Sequence, residues 1–202
     1  EAVCELFGGN KNQIKVIGIR HGEKMYETLL TNEECAHAED LGDLRPQVLE
    51  LRDHYQMMGM RIVQHSFNPY GEMPMEQENL CAYTGTHDNE TLTGWFKNIS
   101  DEERTMTRDY LNDYHSSDEE IYWNIINLVM RSHADLCIIP MQDYLGYDNS
   151  ARMNQPSTVG TNWRWRITEE EMPEKLQKDI RTLTRRFGRL SHQWQKELDE
   201  TK

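Results

Sequence analysis

Residues 80–95 read LCAYTGTHDNETLTGW. Leu80 to Thr84 carry no charge, and they run into a turn crowded with polar groups: His87, Asp88, Asn89 and Glu90. So short an uncharged run, closed by Gly85, reads as a buried strand, with the polar cluster at its C-terminal end. In parallel α/β folds that end is where ligands bind and catalytic groups point. A plainer reading makes Asp88 or Asn89 the cap of the helix that follows.

Working outward, Met60 to His65 (MRIVQH) reads as a second strand. Pro46 suits the first turn of a helix through Tyr55, with Val48, Leu51 and Tyr55 on one side. Further upstream, Gln13 to Ile19 reads as a buried strand and Glu23 to Leu30 as a helix. Downstream, Ser100 with Glu103 opens a helix to about Tyr114, and Ser117 with Glu120 opens another to about His133, both as capping boxes. Ala134 to Ile139 is then a buried strand stopped by Pro140. A last helix starts near Pro173, its stripe made of Leu176, Ile180, Leu183, Phe187, Leu190 and Trp194. No internal repeat or low-complexity linker interrupts this order. Strand and helix alternate throughout, which favours a parallel sheet covered on both faces, either doubly wound or part of a (β/α)8 barrel. The 202 residues fall short of the roughly 250 of a complete barrel.

Asp and Glu number 35 against 22 Lys and Arg, a net charge of −13. Such a field repels phosphate backbones and anionic lipid, so neither nucleic acid nor membrane is expected as a partner. An uncharged sugar polymer is indifferent to it. Phe, Trp and Tyr at 9% supply stacking platforms for such a polymer. Cys4, Cys35, Cys81 and Cys137 are scattered, with no Cys/His cluster that would hold a metal, and no glycine-rich loop marks a cofactor. Free thiols in an acidic chain fit a reducing, cytoplasmic location. No run reaches transmembrane length and no signal peptide is visible, although the sequence begins at Glu1 rather than Met.

Three further clusters stand near predicted strand ends. Glu39 and Asp40 precede Leu41-Gly42-Asp43 and read, on composition, as a solvated turn. Gln142 and Asp143 follow the strand of residues 134–139, or begin a helix. The loop Ala151 to Arg166 sets Trp163 and Trp165 among Arg152, Arg164 and Arg166. Its indoles either stack on sugar faces or anchor the loop to the core. Carboxylates for proton transfer and aromatics to hold rings are what a carbohydrate site needs.

The blocks AEDLGDLRPQVLELRD (38–53), MGMRIVQHSFN (58–68), YTGTHDNETLTGW (83–95) and ADLCIIPMQDYLGYDNSARMNQPSTVGTNWRWR (134–166) resemble consecutive blocks of the 4-α-glucanotransferases, the amylomaltases or disproportionating enzymes of glycoside hydrolase family 77. The resemblance runs from about Ala38 to the C-terminus. It implies the C-terminal part of a (β/α)8 barrel over residues 38–202, and transfer of α-1,4-glucan segments between maltodextrins with retention. By the same resemblance Glu39 is the general acid/base, which displaces its reading as a turn. Asp88 is the carboxylate that stabilises the transition state, and His87 contacts the transferred sugar. Asn89, Trp163 and Trp165 complete the expected substrate contacts. The family's nucleophile, an aspartate upstream of the acid/base in a block similar to RIDHFRG, has no counterpart here: residues 1–38 contain no aspartate. The 202 residues are therefore expected to be inactive alone, with the exposed edges of a partial barrel open to self-association.

Residues 5–34, ELFGGNKNQIKVIGIRHGEKMYETLLTNEE, resemble instead the C-terminal region of UDP-N-acetylglucosamine 4,6-dehydratases of the extended short-chain dehydrogenase family. That implies a chimeric chain, with residues 1–37 a short α/β appendage joined at AEDLGD, a word both families share. The alternatives to a glucanotransferase portion are a non-catalytic glucan-binding module and the remnant of a UDP-sugar dehydratase, in which Arg20 would meet a nucleotide phosphate.

Overall fold

In the computed structural model, which describes residues 46–67 and 79–190, the run at the centre of the sequence argument becomes the central strand of a sheet. Gly59–Ile62 (β1), Leu80–Tyr83 (β2) and Leu136–Ile138 (β3) pair in the order β1-β2-β3, both pairings parallel. Gly59 stands opposite Leu80, and Cys81 opposite Leu136. Leu80, Cys81 and Ala82 are buried, as a strand covered on both faces requires. The predicted parallel α/β arrangement is therefore present in the described residues.

Pro46–His54 (α1) begins at its proline, but Val48, Leu51 and Tyr55 are exposed, so the predicted apolar side is not packed. Leu92–Asn98 (α2) is capped by Thr91, whose hydroxyl accepts from Gly94 N at 3.2 Å. Neither Asp88 nor Asn89 caps it. Asp101–Leu111 (α3) carries the predicted capping box, with Glu103 N on Ser100 Oγ at 3.2 Å and Ser100 N on Glu103 Oε2 at 3.0 Å. It stops short of Tyr114 because Asn112 turns left-handed at φ 51°, a conformation Asn tolerates. Ile121–Arg131 (α4) packs Ile121, Ile125, Ile126 and Val129 against Leu92 and Phe96 of α2, Ala82 of β2 and Leu183. Met141–Tyr144 (α5) follows β3 directly, and Glu174–Arg186 (α6) buries Leu183 of its predicted stripe.

Three expectations need correction. The strand at 60–65 ends at Ile62, and Val63–Ser66 forms a 3-10 turn. That turn carries Gln64 under the loop after β2, where its Nε2 donates to Glu90 O at 2.9 Å. The Ser117 capping box does not start α4. Residues 117–120 form a turn in which Asp118 is held by Arg104 at 2.6 Å and Arg108 at 2.7 Å, and the helix begins at Ile121. The strand expected to be buried at 134–139 is the edge strand of the described sheet, with Leu136 and Ile138 exposed by 37% and 38%. The predicted elements at 13–19 and 23–30, and Trp194, lie outside the described residues. Among those described, no helix is long and apolar enough to cross a membrane.

Candidate functional site

The loop from Thr84 to Thr91 leaves the C-terminal end of β2 and is folded by its own polar groups. Asn89 Oδ1 accepts from Thr86 N at 2.9 Å and from Thr86 Oγ1 at 2.7 Å, and Asn89 N returns to Thr86 O at 3.2 Å. This is the local side-chain turn that Asn favours. Gly85 is required by a close approach: a Cβ there would lie 2.8 Å from Gln64 Nε2. The turn leaves His87 and Asp88 exposed at its tip, with His87 Nε2 3.3 Å from Asp88 Oδ1.

A second loop, after α5, folds back onto this tip. Asn154 Nδ2 donates to Asp88 Oδ1 at 2.5 Å, and Asn154 N donates to His87 O at 3.0 Å. Arg152 reaches Asp88 O through Nη2 at 2.7 Å and Asn154 O through Nε at 2.9 Å. Trp163, left-handed at φ 65°, donates its N–H to Met153 O at 2.7 Å. That turn brings its indole over the His87 ring, with centroids 5.1 Å apart and planes inclined by 38°. Among the described residues no side chain bonds Asp88 Oδ2.

The two loops and the strand ends enclose an open cavity of about 440 Å³. His87, Asp88, Asn89 and Trp163 line it, so four of the six expected site residues come together there. Trp165 does not join them. Its ring meets Tyr147 edge-on at 6.5 Å, and Arg166 Nη1 bonds the carbonyls of both tryptophans, at 2.9 Å and 2.7 Å. Glu39 lies outside the described residues. No group of three His, Cys, Asp or Glu side chains among those described is placed to hold a metal.

The cavity floor holds Asp143, which is 1% exposed. Its Oδ2 accepts from Thr84 Oγ1 at 2.6 Å and its Oδ1 from Leu92 N at 2.8 Å. Burial without a cation pushes the carboxyl up to about 6, and the two hydrogen bonds offset part of that rise. Arg152 and Asp143 belong to clusters the sequence singles out, without the partners they take here, and Asn154 is the member of this site the sequence does not mark. Asn154 and Asp143 bond partners 51 to 66 residues away, and nothing local in the sequence marks such pairs.

A family model described as 4-alpha-glucanotransferase, glycoside hydrolase family 77, matches residues 9–172. The match begins upstream of Ala38, where the motif resemblance starts, and nothing found supports a dehydratase portion. A 4-alpha-glucanotransferase of Clostridium butyricum is 41% identical over 160 residues, covering 75% of this chain and 32% of the relative. One from Synechocystis is 36% identical over 157 residues, covering 75% and 31%. Among solved structures, an amylomaltase from Streptococcus agalactiae in complex with acarbose superposes with a TM-score of 0.70 at 29% identity, covering 77% of this chain and 32% of that one. The chain thus spans about a third of the length of the relatives it matches.

Proposed function

Because the chain belongs to the 4-alpha-glucanotransferase family, we propose that it carries two of the three carboxylates that move α-1,4-glucan segments between maltodextrins. Its three parallel strands, on this reading, are successive strands from the C-terminal part of a (β/α)8 barrel. Glu39 protonates the departing glycosidic oxygen and then takes the proton of the incoming hydroxyl. Asp88 holds ring hydroxyls more tightly as the sugar becomes oxocarbenium-like. His87 and Trp163, their planes inclined by 38°, form an aromatic platform for one sugar ring, and Asn89 braces the turn that presents them.

The observation that carries this reading is the setting of Asp88. It stands at the end of the central strand, with one oxygen held by Asn154 and the other without a described partner, at the rim of a sugar-sized cavity. Retention needs a nucleophilic carboxylate about 5–5.5 Å from the acid, and residues 1–38 supply no aspartate. No role is assigned to residues 1–37.

The purified 202-residue chain is therefore expected to bind acarbose saturably and to form neither glucose nor longer maltodextrins from maltotriose. Calorimetry and chromatography of the sugars read the two outcomes. Robust disproportionation, or no binding, would sink the proposal. Trp163→Ala should weaken binding by about tenfold, the loss of roughly one stacking contact, whereas Trp165→Ala should leave it within about twofold, since its ring meets Tyr147. A non-catalytic glucan-binding role is favoured by the tilted His87–Trp163 pair alone. That role survives if Asp88→Asn leaves acarbose affinity unchanged, and the active-site reading requires a clear loss.

A further inference from the structure

The loop that presents His87 and Asp88 hangs between Thr84 and Leu92, and both of its ends are tied to one side chain. Thr84 closes the sheet, its N–H directed at Ile138 O at 3.4 Å, and its hydroxyl donates to Asp143 Oδ2 at 2.6 Å. Leu92 opens α2, and its N–H, one of the donors a helix leaves unsatisfied at its start, is taken by Asp143 Oδ1 at 2.8 Å. Asp143 is itself fixed in α5 by its N–H on Pro140 O at 3.0 Å. A further tie runs through Gly146, whose N–H bonds Asp143 O at 3.0 Å and whose carbonyl accepts from Thr93 Oγ1 at 3.1 Å.

The residue beside it supports the opposite wall. Gln142, also buried, donates Nε2 to Ala151 O at 3.3 Å, at the root of the loop that carries Arg152, Asn154 and Trp163. Both loops that form the cavity are thus hung from adjacent residues of one short helix. A carboxylate is well suited to the Thr84–Leu92 position because it offers two acceptors to two donors that converge from different elements.

We propose that Asp143 is the positioning residue of the cavity: by bonding both ends of the Thr84–Leu92 loop it sets where His87 and Asp88 stand, without itself touching the sugar. This rests on the glucan-binding reading of the cavity, and it deepens that reading by naming the support on which the loop depends. It also separates the cavity from the core. The helices behind α5 are held by Ile125, Ile126, Phe96 and Val129, so loss of the tie should loosen the loop while the core stays closed.

Amide hydrogen exchange followed residue by residue by NMR tests this on the 202-residue chain. In Asp143→Ala, exchange at Leu92 and across residues 85–91 should rise by about 100-fold, the scale of two lost buried hydrogen bonds. Amides of Ile125 to Val129 should change far less. Asp143→Asn, which keeps one acceptor and replaces the other with a donor, should restore most of the protection. Acarbose affinity should follow the same order, lost in the Ala variant and largely retained in the Asn variant. An equal rise throughout α4, or no rise in the loop, overturns the proposal, as does an Asn variant no better than Ala. Should Asp143→Ala not fold, Thr84→Val removes only one tie, and it should raise exchange at residues 85–89 by about tenfold while sparing Leu92. A wild-type chain that binds no acarbose defeats the glucan reading, and the exchange pattern then decides the positioning role by itself.

Discussion

Replacing Asp143 with Asn is expected to remove a fall in stability between about pH 4 and pH 6, and to leave the protein more stable than wild type at pH 7. Burial is the largest influence on this carboxyl. It raises the group from 3.8 to about 6 against the opposing effect of the bonds from Thr84 and Leu92. The folded chain therefore keeps a proton that the unfolded chain releases near 3.8. Between those two values the native state binds more protons, so stability declines as pH rises and the cost is complete above about 6. A displacement of this size corresponds to about 3 kcal/mol. Asn has the same shape and no charge: its Oδ1 can accept from Leu92 N, and its Nδ2 can donate to Thr84 Oγ1. The opposing hydrogen bonds are already contained in that displacement, so the gain at pH 7 approaches about 3 kcal/mol at most. Asp113, Asp148 and Glu171 act in the opposite sense. Hydrogen bonds hold each of them below its ordinary value, so they contribute stability that is lost only as pH falls through the acid range. Urea titrations from pH 4.5 to 7.5 separate the two, and parallel wild-type and Asp143→Asn profiles would contradict the argument. The same carboxylate thus costs stability while ordering the loop, a combination expected of residues kept for a site.

The sequence was most informative where one residue type settles a local question. Leu80 to Tyr83 became the central strand because an uncharged run suits burial on both faces, and Ser100 with Glu103 capped α3 because the box closes within four residues. It was least informative where a partner from elsewhere decides. Ser117 and Glu120 present the same box, yet Asp118 between them is drawn to Arg104 and Arg108, and the turn delays α4. MRIVQH has the residues of a longer strand, but Gln64 is needed beneath the loop at Glu90 O, and the chain turns there. Leu136 and Ile138 are apolar enough for a central strand, and no periodicity tells an edge from a centre. The site divides along the same line. His87, Asp88 and Asn89 could be picked out because they stand together after a strand. Asp143 was picked out the same way, but its bonds to Thr84 and Leu92, like the place of Asn154, come only through the fold. Trp163 and Trp165 looked equivalent two positions apart, and the left-handed backbone at Trp163 separates them, one over His87 and the other against Tyr147. Glu39 rests on motif resemblance alone.

Arg189→Ala is expected to destabilise the protein by about 3 kcal/mol, the range for removing several charged hydrogen bonds to partly buried carbonyls. One guanidinium serves three acceptors where α4 ends and the chain turns toward β3: Nε donates to Met130 O at 2.7 Å, Nη2 to Ser132 O at 2.7 Å and Nη1 to Ala134 O at 2.8 Å. The last carbonyls of a helix have no partner within it, and a cation there also complements the helix dipole. Alanine leaves all three carbonyls to whatever water can reach them. Lysine keeps the charge but not the planar fork, so Arg189→Lys should recover less than half of the loss. The damage should be local to β3 before it is global. Cys137, on β3, directs its thiol at Val129 O at 3.3 Å and is half-buried, whereas Cys81 on the central strand is fully buried. In the Ala variant Cys137 should react with a thiol reagent at least tenfold faster under native conditions, the scale expected when a local opening loses the hydrogen bonds that hold it closed, with Cys81 little changed. Because β3 leads through Pro140 into Gln142 and Asp143, acarbose binding should weaken with it. A Lys variant as stable as wild type would show that charge alone matters, and equal acceleration at both cysteines would show that the whole sheet, rather than its β3 edge, depends on Arg189.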